Sequence, residues 1–265
     1  IALIFTAVAA DSGHVLPLNG MTAVSAGQIL SPHIYRLALQ VVVVTSAAIL
    51  IVQVEELMGR RYFLGFLLGW FDKPREAERI NLSIDLVGSS ALNERLGDML
   101  YYRFLNTTHS LMTDAVLRHG AEIHKYVGDE VIFTWTMREG VRNLHCLDLF
   151  FDIRDRLRNH EGVMLREFGA APQFRGGLHG GMVITAQVGH IKRAIDLSGD
   201  VMNTTSRVLS LCKEMKADLL ITTELLDRMP DAGKRFTFGE VIPMRVKGGK
   251  RQVGVRSVER DAKTR

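Results

Sequence analysis

Hydrophobic patterning divides the chain into two regimes. From Ile1 to Val54 the only formal charges are Asp11 and Arg36, whereas charge is spread throughout the remainder. Leu37–Val54 is an uncharged run of eighteen residues rich in Val, Ile, Leu and Ala. That is close to the roughly 20 residues a helix needs to cross the hydrocarbon core of a bilayer. The alternative for such a run is a buried core helix, but Ile1–Ala10 (IALIFTAVAA) is a second uncharged apolar stretch. The chain does not begin with Met, and Ile1–Ala10 is expected to be the tail of a further spanning helix, truncated at the N-terminus. A signal peptide is not expected, because there is no basic lead-in and no small-residue cleavage pattern. Arg60, Arg61, Lys73 and Arg75 follow the span. The positive-inside rule then places that flank and everything after it in the cytoplasm, behind an inner-membrane anchor. Tyr62–Phe71 (YFLGFLLGWF) is again apolar but too short to cross, and Pro74 ends it. It reads as an interfacial helix, a re-entrant segment or a helical linker paired with a second copy of itself. The expected organisation is a transmembrane region over residues 1–54, a juxtamembrane helical linker over 55–78 and a catalytic domain over 79–260.

In the second regime apolar periods alternate between those of strand and helix. Arg79–Ile84 predicts a buried strand that enters a Gly-Ser-Ser turn. Ala91–His119 predicts a helix with Leu92, Leu96, Leu100, Phe104, Leu105, Leu111 and Met112 as its apolar stripe. Glu122–Val127 and Glu130–Trp135 are short β-rich runs separated by Gly128-Asp129, a strong hairpin signal. A second helix fits Val141–Asn159, two β-type runs flank Gly180-Gly181 within Phe174–Val188, and Val201–Lys213 is helical. Asp218–Thr222 is strand-like and Arg235–Val258 is β-rich. Strands and helices alternate but hairpins interrupt them, which predicts an α+β sheet with antiparallel pairs rather than a doubly wound fold.

Composition changes this picture little. With 47% hydrophobic and 23% charged residues the chain is a folded protein. The net charge of +4 is scattered and mostly accompanied by acids, so no basic stripe with interleaved aromatics points to nucleic acid as a partner. Cys146 and Cys212 are the only cysteines, lie far apart, have no metal-ligand spacing and fit a reducing compartment.

Three segments carry candidate chemistry. Asp85 ends an apolar strand and is followed by the small-residue turn Leu86-Val87-Gly88-Ser89-Ser90 and a helix. A carboxylate beside free helix N-terminal amides suits a metal–polyphosphate pair, although an Asp in that position also serves as a helix cap. Asp129 lies at the tip of the Gly128-Asp129 hairpin and on its own reads equally as a turn residue. Two carboxylates on neighbouring strand ends can bracket two divalent ions. In Asp196-Leu-Ser-Gly-Asp-Val-Met-Asn203-Thr-Thr-Ser-Arg207, Asn203 and Arg207 are four apart and face the same way on a helix. An amide beside a guanidinium suits charge on a transferring phosphoryl group, and equally a polar surface face.

Together these segments resemble class III nucleotidyl cyclases. NLSIDLVGSSALNERLG is similar to the family's first metal-site segment, EIHKYVGDEVIFTW to its second, GLHGGMVITAQVG to its central Gly-rich hairpin and DLSGDVMNTTSR to its Asp-x-x-Gly-x-x-x-Asn-x-x-x-Arg segment. They occur in the family's order across roughly Ile80 to Val258. The resemblance implies a ferredoxin-like α+β domain with helices on one side of the sheet, dimerised head to tail. It implies cyclisation of ATP to cyclic AMP and pyrophosphate with two divalent metal ions, Mg²⁺ or Mn²⁺, at a homodimer interface. Asp85, Asp129 and the Leu86 carbonyl would hold the metals. Lys125 would donate to adenine N1 and Asp196 would accept from the 6-amino group, a polarity that fits ATP and not GTP. Asn203 would orient the ribose and Arg207 would stabilise the pentavalent phosphate. Val87, Gly88, Ser89, Ser90, Val127, Gly128, Leu197 and Ser198 would line the nucleotide site. All of these roles lie in one chain, as a symmetric homodimer requires.

One segment departs from the family. Where the family often carries Lys-Gly-Lys-Gly, this chain reads Val246-Lys247-Gly248-Gly249-Lys250, which puts Gly249 at the phosphate-binding lysine. Either Lys247 or Lys250 would substitute. The alternatives to an adenylyl cyclase are a guanylyl or dual-specificity cyclase, and a catalytically silent membrane signalling module. The second is disfavoured because both metal carboxylates and the Arg are present.

Overall fold

The computed structural model describes residues 32–70, 73–189, 194–245 and 252–261. Ile1–Ala10, Lys247 and Lys250 therefore lie outside the described residues. The chain divides into two units, the first ending at Phe63. The first holds helix α1 (Pro32–Met58), of which Pro32–Leu57 is long and apolar enough to cross a membrane. Leu39, Val44, Ile49 and Leu50 along it are exposed. Its Thr45 hydroxyl donates back to the Val41 carbonyl at 2.7 Å, which satisfies that hydroxyl within the apolar run. Helix α2 (Arg60–Leu67) falls within the apolar linker segment.

The second unit begins its sheet with β1 (Arg75–Leu86), whose alternation decides the layering. Ile80, Leu82, Ile84 and Leu86 point to one face and are buried, while Arg79, Asn81 and Ser83 point to the other and are buried polar residues. Helices α3 (Ser89–Leu96) and α4 (Asp98–Arg118) follow. The expected single helix is broken at Gly97, which takes φ 74°, ψ 156°, a conformation open to glycine. The hairpin forms where Gly128-Asp129 predicts it, between β2 (Glu122–Val127) and β3 (Glu130–Thr136), with Gly128 at φ 65°. After the short helix α5 (Met137–Val141) the chain kinks, with Asn143 at φ 52° and Leu144 at φ 61°. The second expected helix therefore starts only at His145, as α6 (His145–Asn159), and α7 (Glu161–Phe168) adds a turn the periodicity did not announce.

The Gly180-Gly181 segment is one continuous fifteen-residue strand, β4 (Phe174–Val188), rather than two runs. It pairs antiparallel with β1 along its length from Phe174 to Thr185. With β6 (Leu219–Thr222), β7 (Phe236–Phe238) and β9 (Gln252–Arg260) the strand order is β2-β3-β1-β4-β6-β9-β7, so the first four strands have the arrangement of a ferredoxin-like βαββαβ unit. The remaining elements are β5 (Ala194–Ser198), α8 (Asp200–Met215), α9 (Thr223–Leu226) and β8 (Ile242–Arg245).

The main core joins the apolar face of β1 to Phe104 and Met112 of α4 and to Leu147, Phe150 and Phe151 of α6. Leu219 and Ile221 belong to it, but Leu220 between them packs instead with Val208 and Cys212 of α8. Helix α8 thus covers the opposite face, which corrects the expectation of helices on one side only. Both cysteines are free and buried, and burial pushes their thiols up to about 12.

Helix α8 carries Asn203 and Arg207, and its seat on the sheet depends on Gly177. A Cβ there would lie 2.4 Å from the Leu209 nitrogen and 2.9 Å from the Thr205 carbonyl oxygen, both backbone atoms that cannot rotate away. Gly177→Ala is expected to lift α8 and to cost about 1–3 kcal/mol or more, the range for overpacking a core. Urea unfolding of the second unit measures it, and an unchanged midpoint would show that the helix is not held this closely.

Candidate active site

Asp85 is the penultimate residue of β1 and sits directly across from Arg175 on β4. Ile84 pairs with Val131 on β3, which brings the hairpin turn just before β3, with its Asp129, beside the Asp85 carboxylate. The Asp85 carboxyl is pushed up to about 6, first by burial, then by the charge of Asp129 and a hydrogen bond with it, then by the charge of Glu130. The Leu86 N–H, donating to the same carboxylate, works in the opposite direction. Asp129 Oδ2 is buried and makes no hydrogen bond. Two carboxylates are thus held against their mutual repulsion with one acceptor left unmet.

The chain then turns through Val87 and Gly88, the latter at φ 73°, into α3, whose first amides have no side-chain cap. Asp85, Val87–Ser90, Glu130 and Arg175 line a cleft of about 670 Å³ that Ser206, Ser210 and Lys213 of α8 close from the other side. Asn203 and Arg207, nearer the N-terminal end of α8, are not among its lining residues. Asn203 is exposed, and Arg207 Nη1 donates to the Arg245 carbonyl at 2.7 Å.

A second cluster forms where β5 meets β2, two strands that are not neighbours in the sheet. Lys125 Nζ donates to Asp196 Oδ1 at 3.1 Å. Burial alone would raise the Asp196 carboxyl. The hydrogen bond from Lys125, the charges of Lys125 and His124 and the Leu197 N–H outweigh it and hold the carboxyl below its usual value. Of the neighbouring positions, Leu197 is buried against Val183 and Val201 and serves packing, while Ser198, Val127 and Gly128 are exposed.

Residues 78–257 match the adenylate and guanylate cyclase catalytic domain. The chain belongs to that family. A curated relative, adenylate cyclase 2 of Rhizobium meliloti (strain 1021), is 38% identical over 181 residues, covering 68% of this chain and 50% of the relative. The chain thus spans about half the length of that relative. A bacterial light-regulated adenylyl cyclase superimposes with a TM-score of 0.69 at 20% identity, over 92% of this chain and 72% of the other. The guanylyl cyclase Cya2 does so with a TM-score of 0.57 at 19% identity, over 69% and 92%. The cyclase fold is therefore common to enzymes of both names, and the choice of base has to be argued from side chains.

Class III cyclases use divalent metals, and the donors here suit them. Asp85, Asp129 and the Leu86 carbonyl are all oxygen donors, matched to a hard cation. The unmet Asp129 Oδ2 and the raised Asp85 carboxyl are what such a cation would relieve. Among the described residues no group of three His, Cys, Asp or Glu is placed to hold a metal by itself. The remaining positions would fall to phosphate oxygens and water, as is usual for Mg²⁺.

Sequence reasoning missed Glu130, Arg175, Tyr101 and His124. The Tyr101 hydroxyl is pushed up by burial and then by the charge of Asp129. Arg175 could have been found only from the β1–β4 register.

Proposed function

We propose that this cyclase is an adenylyl cyclase, converting ATP to 3′,5′-cyclic AMP and pyrophosphate at the interface of a homodimer. The observation that carries the choice of base is the Lys125–Asp196 contact at 3.1 Å. It presents a donor beside an acceptor. Adenine offers the complement, with an acceptor at N1 and a donor in its 6-amino group, whereas guanine offers O6 and a protonated N1.

Asp85, Asp129 and the Leu86 carbonyl would hold two divalent ions, which supply positive charge to the polyphosphate and acidify the attacking 3′-hydroxyl. The uncapped amides of α3 at Gly88, Ser89 and Ser90 offer donors to phosphate oxygens. Asn203 orients the ribose. Arg207 releases the Arg245 carbonyl and meets the charge that grows on the α-phosphoryl group as the 3′ oxygen bonds to phosphorus and pyrophosphate leaves. Lys247 or Lys250 receives the terminal phosphates. Asp85 and Asp129 are committed to the metals, and water or a substrate phosphate takes the 3′ proton. Asn203 is exposed on α8, and a second copy, bringing its own Asn203 and Arg207 to the Asp85 cleft, completes each site.

We assign residues 1–54 to the membrane region, 55–78 to a juxtamembrane linker and 79–260 to the catalytic domain. The basic flank Arg60, Arg61, Lys73 and Arg75 supports an inner-membrane anchor with the catalytic domain in the cytoplasm.

Product analysis of the purified chain with ATP or GTP, each with Mg²⁺ or Mn²⁺, tests the reading, and cyclic AMP from ATP is the expected product. Predominant cyclic GMP would assign a guanylyl cyclase, and no product with any pairing would assign a silent module. In the same assay Lys125→Glu with Asp196→Cys should lower the ATP:GTP preference by about 10²-fold, because mismatched hydrogen-bond groups discriminate strongly once the base covers them. An unchanged ratio would show that these residues do not read the base.

A further inference from the structure

The pairing of β2 with β3 slips by one residue between Ile123 and Lys125. His124 is the extra residue of this bulge, and a bulge re-aims a side chain. The imidazole turns inward and its side chain is 2% exposed. Its Nε2 lies 3.3 Å from Asp196 Oδ1, the same oxygen that Lys125 Nζ reaches at 3.1 Å. The ring is short of hydrogen-bond geometry there and makes no hydrogen bond at Nε2. A buried polar atom left unmet in one state is a candidate for use in another.

We propose that His124 is a positioning residue for base recognition: its Nε2–H takes over the Asp196 carboxylate when Lys125 leaves that carboxylate for the purine ring. This rests on the reading that Lys125 and Asp196 contact adenine. Donation to N1 withdraws Lys125 from Asp196, and the carboxylate is then left without its cation while it must stay aimed at the 6-amino group. Lys125 and His124 compete for one oxygen before the base arrives, which accounts for the idle Nε2. Burial, followed by the charge of Lys125, holds the imidazole pKa below its usual value. The ring's role is that of a hydrogen-bond donor that keeps the carboxylate aimed. Asp196 opposes that shift and Arg79 adds to it.

The test compares ATP with purine riboside 5′-triphosphate, which keeps N1 but lacks the 6-amino group, using the full chain in detergent. His124→Leu is expected to lower kcat/KM for ATP by about 10-fold or more, mainly through KM, while turnover of the purine analogue stays within about 3-fold. His124→Gln, whose amide nitrogen replaces Nε2–H, should restore most of the ATP preference. His124→Phe keeps the ring volume and serves should the Leu variant melt early. Asp196→Ala is the reference. If it does not change the ATP:analogue ratio, the base-reading assignment fails and the proposal with it. If Asp196→Ala collapses the ratio but the apolar His124 variants keep it, or lower both substrates equally, the positioning role alone is overturned.

Discussion

Asp85→Asn is expected to abolish cyclisation while leaving the metal-free protein at least as stable as the wild type. Loss of one carboxylate from a two-ion site removes charge stabilisation of several kcal/mol, about three orders of magnitude in rate. The stability effect has the opposite sign. The folded Asp85 carboxyl is raised from 3.8 to about 6, by burial first and then by Asp129. The native state therefore binds this proton more tightly than the unfolded chain does. Its contribution is fully present below the unfolded value and is lost as pH rises from about 4 to about 6, leaving a strained, ionised pair at neutral pH. The carboxylate is only half-buried, so solvent screening reduces the effect to on the order of 1 kcal/mol. That is a rise of roughly 2–4 °C in the melting temperature of a domain this size. Removing Asp129 should do the same to activity. Added Mg²⁺ or Mn²⁺ should raise the wild-type melting temperature by mass action and fail to do so in either variant. Wild-type turnover in Asp85→Asn, or an equal metal-dependent rise, would end the assignment of these carboxylates to a metal.

The pieces of this site that were legible in the sequence are those set by local chemistry. The alternation of Arg79–Ile84 and the Gly128-Asp129 turn are short-range signals, and both elements form where they predict. The failures are tertiary. The leucine stripe runs on through Gly97, and only the chain's turn between α3 and α4 uses that glycine's freedom. Gly180-Gly181 reads as a break between two β-type runs, yet in the sheet these glycines make room for Met137, Leu225 and Val201, whose atoms a Cβ would meet at about 3.0 Å. Strand β5 is five residues long and gains its identity from pairing with β4. His124 is a buried neighbour of Asp196 only because a register slip against β3 turns it inward. A sequence pattern records which residues alternate, not which strand they will lie against.

Two inactive variants should rescue each other. Within one chain Asp85 and Glu130, the residue after Asp129, open onto a cleft bounded on α8 by Ser206, Ser210 and Lys213. Asn203 faces outward and Arg207 is tied to the Arg245 carbonyl. If each site takes its carboxylates from one protomer and its Asn203 and Arg207 from the partner, a two-fold dimer has two such sites. In a mixed dimer of Asp85→Ala and Asn203→Ala chains, one site inherits both lesions and the other inherits neither. Random pairing makes about half the dimers mixed, each with one intact site of two, so co-expression should return about a quarter of wild-type activity. Each variant alone should stay inactive at any concentration. The rescue should also fall on dilution as the dimers dissociate and recover on reconcentration. A site built within a single chain would carry a lesion in every copy and recover nothing. Co-purification with two different tags establishes that mixed dimers form. Mixed dimers without activity would overturn the shared site.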